Sequence, residues 1–159
     1  MHIPQDWQLR LIQLLTIPGM IIAYFLLLYH NGNLFSICEP GGFEDCGLVS
    51  GPGAPYSAIG PIPVALIGLV GYFVIFLSIW LAEWVDKIEE YLPEIMVGLT
   101  GLAFLFTAYL TTLELIVIRA YCRYCLMSAG IITIMLILAV SYLIKVNRDS
   151  EQSTVDSGQ

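Results

Sequence analysis

Four apolar runs, each long enough to cross a lipid bilayer, leave this chain few ways to fold. They cover about residues 11–29, 61–81, 94–118 and 122–144. A transmembrane helix needs about 20 predominantly apolar residues, and each run meets that length. The charged fraction of 12% is about half that of an average soluble domain, and the deficit is concentrated in these runs. The expected fold is all-α and integral to the membrane. It is a four-transmembrane-helix bundle with a long extracytoplasmic loop between helices 1 and 2. Residues 1–146 form this single membrane domain, and residues 147–159, polar and Ser-rich, are expected as a disordered cytoplasmic tail. The first run is too long for a signal-peptide core and is not closed by a small-x-small cleavage motif, so it reads as a retained span. Pro18-Gly19 within it suggests a kink that neighbouring helices accommodate.

The six basic residues set the expected orientation. Arg10, Lys87, Lys145 and Arg148 flank the ends that share one side when four spans alternate. The loop from Asn31 to Gly60 has no Lys or Arg. By the positive-inside rule both termini are cytoplasmic and that loop is outside. Trp7, Trp80 and Trp84 then form an inner interfacial belt. Arg119 and Arg123 break the pattern, in the short outer turn before the last span. The net charge of −7 comes from loops and ends and gives no sign of nucleic-acid binding.

All four cysteines fall on the predicted outer face, which is the oxidising one for a bacterial-type inner membrane. Cys38 and Cys46 have seven residues between them in the loop, including Pro40-Gly41-Gly42 to turn the chain. Cys122 and Cys125 stand at i and i+3 where the last helix begins. At about 1.5 Å rise per residue, Cys125 lies about 4.5 Å deeper than Cys122. A helix N-terminus favours an anion, and Arg119 and Arg123 add positive charge beside the thiols. Both effects lower a thiol pKa and raise the reactive thiolate fraction. One pair on a Gly/Pro-rich loop and one at the membrane edge suggest a thiol–disulfide relay through a mixed disulfide. Two structural disulfides in a non-enzymatic membrane scaffold are the alternative. The spacing is poor for a zinc site, and no metal is expected. His2 and His30 have no partners in sequence that suggest one. No His follows Cys125, which argues against covalent haem.

The C-x7-C loop pair followed by a Cys-x-x-Cys opening the last helix resembles the vitamin K epoxide reductase family. "GPIPVALIGLVGY", "AYLTTLELIVIRAYCRYC" and "CLMSA" look like its bacterial members, and the resemblance runs from about Leu11 to Ile144. It implies a helix bundle around a quinone and an oxidoreductase that passes two electrons from a thioredoxin-like (DsbA-type) protein to ubiquinone or menaquinone. Disulfide formation in exported proteins is the implied outcome, and reduction of vitamin K quinone or its epoxide is the alternative within the family. Carried over, Cys38 and Cys46 are the shuttle pair, Cys122 and Cys125 the catalytic pair, and Cys46 links with Cys122. Many bacterial members carry a fused thioredoxin-like domain after the last helix; the polar segment here implies a partner in trans. Val64 and Ala129 occupy the positions where vertebrate members hold the quinone head with an Asn and a Tyr, and neither side chain offers a hydrogen bond. Ser50 stands near the position of the family's loop hydroxyl.

Glu114, at the outer end of the third run, is a candidate proton relay, because an ionisable group within a span is a functional candidate. The favoured reading is simpler: it pairs with Arg119 or hydrogen-bonds a neighbour. Phe73, Phe76, Phe104, Phe106 and Tyr109 are available to line a quinone pocket, though most are expected to pack or face lipid. Gly68, Gly71, Gly98 and Gly101 read as sites of close helix approach.

Overall fold

The structure is a computed structural model that describes residues 7–33, 46–54, 56–120 and 122–156. Its helices are α1 (Trp7–His30), α2 (Cys46–Ser50), α3 (Val64–Ala82), α4 (Asp86–Leu113) and α5 (Arg123–Asp156). Two short strands, β1 (Ala58–Ile59) and β2 (Ile62–Pro63), lie between α2 and α3. Among the described residues, four helices are long and apolar enough to cross a membrane. Their outward faces carry large apolar side chains such as Ile21, Leu102, Leu105 and Ile116, all more than 60% exposed. A soluble monomer does not show apolar surface on that scale. The chain is a multi-pass membrane protein.

α1 packs on α3 and α5, and α4 packs on the same two, so the long helices close into a ring. The main core runs along the ring axis through Ile12, Tyr72, Ile75, Met96, Ile132 and Met135. A second apolar cluster caps one end, where Ile22 and Leu26 of α1 meet Val49, Ala120, Cys46 and Cys122. Arg10, the first turn of α4 with Lys87, and the Lys145–Arg148 stretch of α5 lie toward the other end. Trp7, Trp80 and Trp84 are exposed there, and the last two rings sit 6.1 Å apart.

Several expected boundaries move. The second span starts at Val64 rather than Pro61, because residues 58–63 form an antiparallel hairpin that pairs Ala58 with Pro63 and Ile59 with Ile62. Gly60, at φ 64°, occupies the first turn position, where a two-residue loop of this kind needs a positive φ. Ser57 O accepts from Val64 N at 2.9 Å and ties the hairpin to the first residue of α3. Residues 147–156, expected as part of a disordered tail, continue α5 as helix to Asp156. No Gly or Pro interrupts them, and a helix already nucleated in the span extends at little cost. Cys38 and much of the expected long loop lie outside the described residues.

α1 passes through Pro18-Gly19 as one unbroken helix. The glycine has a packing reason, since a Cβ at Gly19 would collide with the Tyr72 ring of α3. Gly68, Gly71, Gly98 and Gly101 do not mark close approaches, and a Cβ at any of them meets nothing within 4 Å. Small-residue spacing alone does not say which face of a helix is occupied.

Candidate functional site

The site begins at the last turn of α4. Residues Glu114–Ile118 form a π-helical turn. Such turns are rare and concentrate at functional positions. The wide turn leaves Leu115, Ile116 and Val117 exposed and turns Glu114 inward, where it is 5% exposed. Arg119 follows with φ 55°, a left-handed residue that reverses the chain toward α5. Glu114 Oε2 accepts a hydrogen bond from the backbone N–H of Cys122 at 3.4 Å, bridging both ends of this reversal. This agrees with the simpler expectation for Glu114, with Cys122 as its partner.

Cys122 stands just before α5, not inside its first turn. Its carbonyl accepts the first helical hydrogen bond, from Leu126 N at 3.0 Å. The backbone N–H groups of Tyr124 and Cys125 point at its sulfur. That is how an N-cap side chain satisfies the free donors of a helix end. The Cys122 thiol is accordingly held below its ordinary pKa. The hydrogen bond from the Cys125 thiol is the largest cause, and the two backbone N–H groups add to it. Burial and the Glu114 carboxylate oppose the shift without reversing it. Arg119 and Arg123, expected to stabilise the thiolate, are both exposed and are not among the groups that shift Cys122.

Cys46 opens α2 and is 2% exposed. It is disulfide-bonded, while Cys122 and Cys125 are free thiols. The Sγ atoms of Cys122 and Cys46 are 3.4 Å apart, across 76 positions of sequence. With the Cys122 thiol protonated, that contact is an S–H donated to Cys46. With it ionised, the same sulfur faces a disulfide sulfur at contact distance.

Cys125 points the other way, into a cavity walled by all four long helices and by α2. Ser50 Oγ lies 3.7 Å from Cys125 Sγ, so the near-match hydroxyl does reach the deeper thiol. The cavity has about 120 Å³ of room for the centre of a water-sized sphere. One water needs about 10–15 Å³ on that measure, so the cavity has room for much more than a single water. Most of the wall is apolar, with a few polar groups converging, the usual make-up of a small-molecule site. Val64, Glu114 and Phe106 are among the residues that line it. Ala129 is not among the lining residues. Its place is taken by Ser128, at i+3 from Cys125 and so on the same helix face. Phe104 packs against the core, while Phe73 and Tyr109 are exposed.

Three contributors were missed from sequence. Ser128 Oγ lies 2.8 Å from the Tyr72 hydroxyl, which also donates to Ser128 O at 3.3 Å. Tyr72 therefore fixes a wall of the cavity from α3. The i+3 spacing from Cys125 could have found Ser128, but nothing local announces Tyr72. The third is His30, in the last turn of α1, which also faces the cavity.

A comparison with curated proteins found no match. The family model described as "Vitamin K epoxide reductase family" matches residues 10–140, which include all four cysteines and every cavity residue named above. The chain belongs to the vitamin K epoxide reductase family, as an oxidoreductase with four membrane-spanning helices.

Proposed function

We propose that this protein is a membrane thiol:quinone oxidoreductase that reoxidises a thioredoxin-like (DsbA-type) partner and so supports disulfide formation in exported proteins. The observation that carries this reading is the layout of three sulfurs: Cys122 is 3.4 Å from the disulfide-bonded Cys46, and Cys125 lines the cavity behind it. Electrons enter at Cys38 and Cys46, the shuttle pair, when a reduced partner cleaves their disulfide. The Cys46 thiolate attacks Cys122 in a Cys122–Cys125 disulfide and releases Cys125 as thiolate. Cys38 then attacks Cys46, which frees Cys122 and restores the loop disulfide. The described state fits the end of that exchange, with Cys46 oxidised and Cys122 and Cys125 carrying the electron pair.

A quinone in the cavity supplies a two-electron, two-proton acceptor. The chain's own part is to re-form the Cys122–Cys125 disulfide, to keep Cys122 ionised, and to hold Cys125 against the acceptor with Ser50 beside its sulfur. Glu114 is placed to take up the proton released as Cys122 ionises. We assign the protein to the cell inner membrane, with cytoplasmic termini and a long loop between the first two spans carrying the cysteines on the periplasmic face.

An anaerobic assay with a reduced thioredoxin-like protein and a soluble short-chain ubiquinone tests the scheme. Cys125→Ala should abolish quinone reduction. In Cys125→Ala the Cys122 thiolate can attack the loop disulfide at Cys46 and release the Cys38 thiolate, so a Cys46–Cys122 mixed disulfide should be trapped by alkylating Cys38 and identified by mass spectrometry. Quinone reduction surviving in Cys122→Ser/Cys125→Ser would end this reading.

A further inference from the structure

We propose that Thr107 and Thr111 of α4 hold the quinone in this cavity, each donating a hydrogen bond from its hydroxyl to a ring carbonyl. This inference rests on the thiol:quinone reading above and names the residues that bind the acceptor.

Helical spacing puts both hydroxyls on the inward face of α4. Thr107, Thr111 and Glu114 stand at i, i+4 and i+7, and all three line the cavity. The same stripe continues down the helix through Thr100 and Met96, which are fully buried. Thr107 and Thr111 are only half-buried, although they share that inward face. What exposes them is the cavity.

The other helix hydroxyls show what a serine or threonine does when nothing else is at hand. Thr112, exposed on the outer side of α4, donates from Oγ1 to Ala108 O at 2.8 Å. Ser78, Thr100, Thr133 and Ser141 likewise donate to the carbonyl one turn back. Such back-bonding satisfies a hydroxyl within its own helix. Thr107 and Thr111 do not use it. Among the described residues neither hydroxyl has a hydrogen-bond partner, and neither is enclosed by protein. A pair of free donors in an otherwise apolar wall suits a ligand with acceptors and no donor, which is what a quinone offers.

The other polar groups of the wall are placed differently. Ser57 Oγ donates to Ala54 O at 2.8 Å, Ser128 Oγ is 2.8 Å from the Tyr72 hydroxyl, and Ser50 Oγ is 3.7 Å from the Cys125 sulfur. Tyr56, 44% exposed, and His30, in the last turn of α1, stand at the aqueous end. Thr111 lies about 4.5 Å deeper than Glu114 and Thr107 about 10.5 Å deeper, within the span. Cys125 reaches the same cavity from α5, so an acceptor bonded to α4 lies in the space onto which the sulfur opens. The two threonines have no part in the exchange between Cys46 and Cys122.

Thr107→Val/Thr111→Val keeps the side-chain shape and removes both donors. In the Cys125→Ala background, which cannot complete the reaction, calorimetry should show about tenfold weaker binding of a short-chain ubiquinone. The infrared carbonyl stretch of the bound quinone should lie below that of the free molecule and return toward it in the valine pair. Thr107→Ser/Thr111→Ser, which keeps both hydroxyls, should bind like the parent. Trapping of the Cys46–Cys122 mixed disulfide in the same background should be equal in all of them. Unchanged affinity and stretch in the valine pair overturn the proposal, as does equal weakening in the serine pair. Loss of the mixed disulfide in the valine pair overturns it too, by marking the threonines as structural. A wild-type protein that reduces no ubiquinone defeats the thiol:quinone reading itself. One that reduces it, while the valine pair binds it equally well, defeats this inference alone.

Discussion

Cys122 is a helix cap whose capping atom is sulfur. A cap must accept hydrogen bonds from free backbone N–H groups, and an anion accepts them better than a neutral thiol. Capping and ionisation therefore favour each other at this residue. The sign follows directly: a lowered pKa means the thiolate persists to lower pH than an ordinary thiol with pKa about 8.5. The ultraviolet absorbance of the thiolate, followed from pH 10 downward, should show a step below that range which disappears in Cys122→Ser. In Cys125→Ala the step should move upward, because the largest stabilising hydrogen bond is gone. An unmoved step would mean that the backbone donors carry the shift alone. The sequence pointed to the same thiol for a different reason, the nearby arginines. Charge near a cysteine is visible in a string of letters, but whether it stays in solvent is decided by a reversal at Arg119 that no spacing announces.

At the scale of elements, the π-helical turn and the start of α5 act as one unit joined through Glu114. The carboxylate accepts from Cys122 N and so fixes the cap. Glu114→Ala leaves a buried N–H without its partner, at a cost of about 1–3 kcal/mol. Chemical unfolding in detergent should show that loss, whereas Glu114→Gln, which keeps an acceptor oxygen, should lose less. The Gln variant should also lower the Cys122 pKa further, since the carboxylate opposes ionisation of the thiol. The α1–α3 contact makes a second case. Gly19→Ala must push the Tyr72 ring aside and with it the bond to Ser128, an overpacking cost of about 1–3 kcal/mol. Tyr72→Leu in the same chain should recover part of the stability, and no recovery would place the strain elsewhere. Periodicity and length revealed the four spans. They could not reveal Gly19 against Tyr72 or Ser128 in place of Ala129, because those depend on how neighbouring helices are rotated about their axes. The hairpin at residues 58–63 was missed for a related reason: its apolar residues extend the apolar run that follows.

Across the whole molecule, charge and redox chemistry give separate grounds for one orientation. Arg10, Lys87, Lys145 and Arg148 lie toward the bundle end with the tryptophan belt, and only Arg119 and Arg123 lie toward the other. Four basic residues against two near the span ends favour the first as cytoplasmic. The second ground does not use charge. A disulfide at Cys46 beside a reduced pair persists on the oxidising side of a membrane, and glutathione would reduce it on the other. Asn33 and Gln152 are both exposed and lie toward opposite ends, so they can report the answer without touching the site. In a chain with all four cysteines replaced, Asn33→Cys should react with a membrane-impermeant maleimide in intact cells. Gln152→Cys should react only after the membrane is opened. The reverse pattern would put the cysteine pairs in the reducing compartment. The cavity could then still hold a quinone, but a thioredoxin-like partner that makes disulfides in exported proteins would be on the wrong side to reach Cys46.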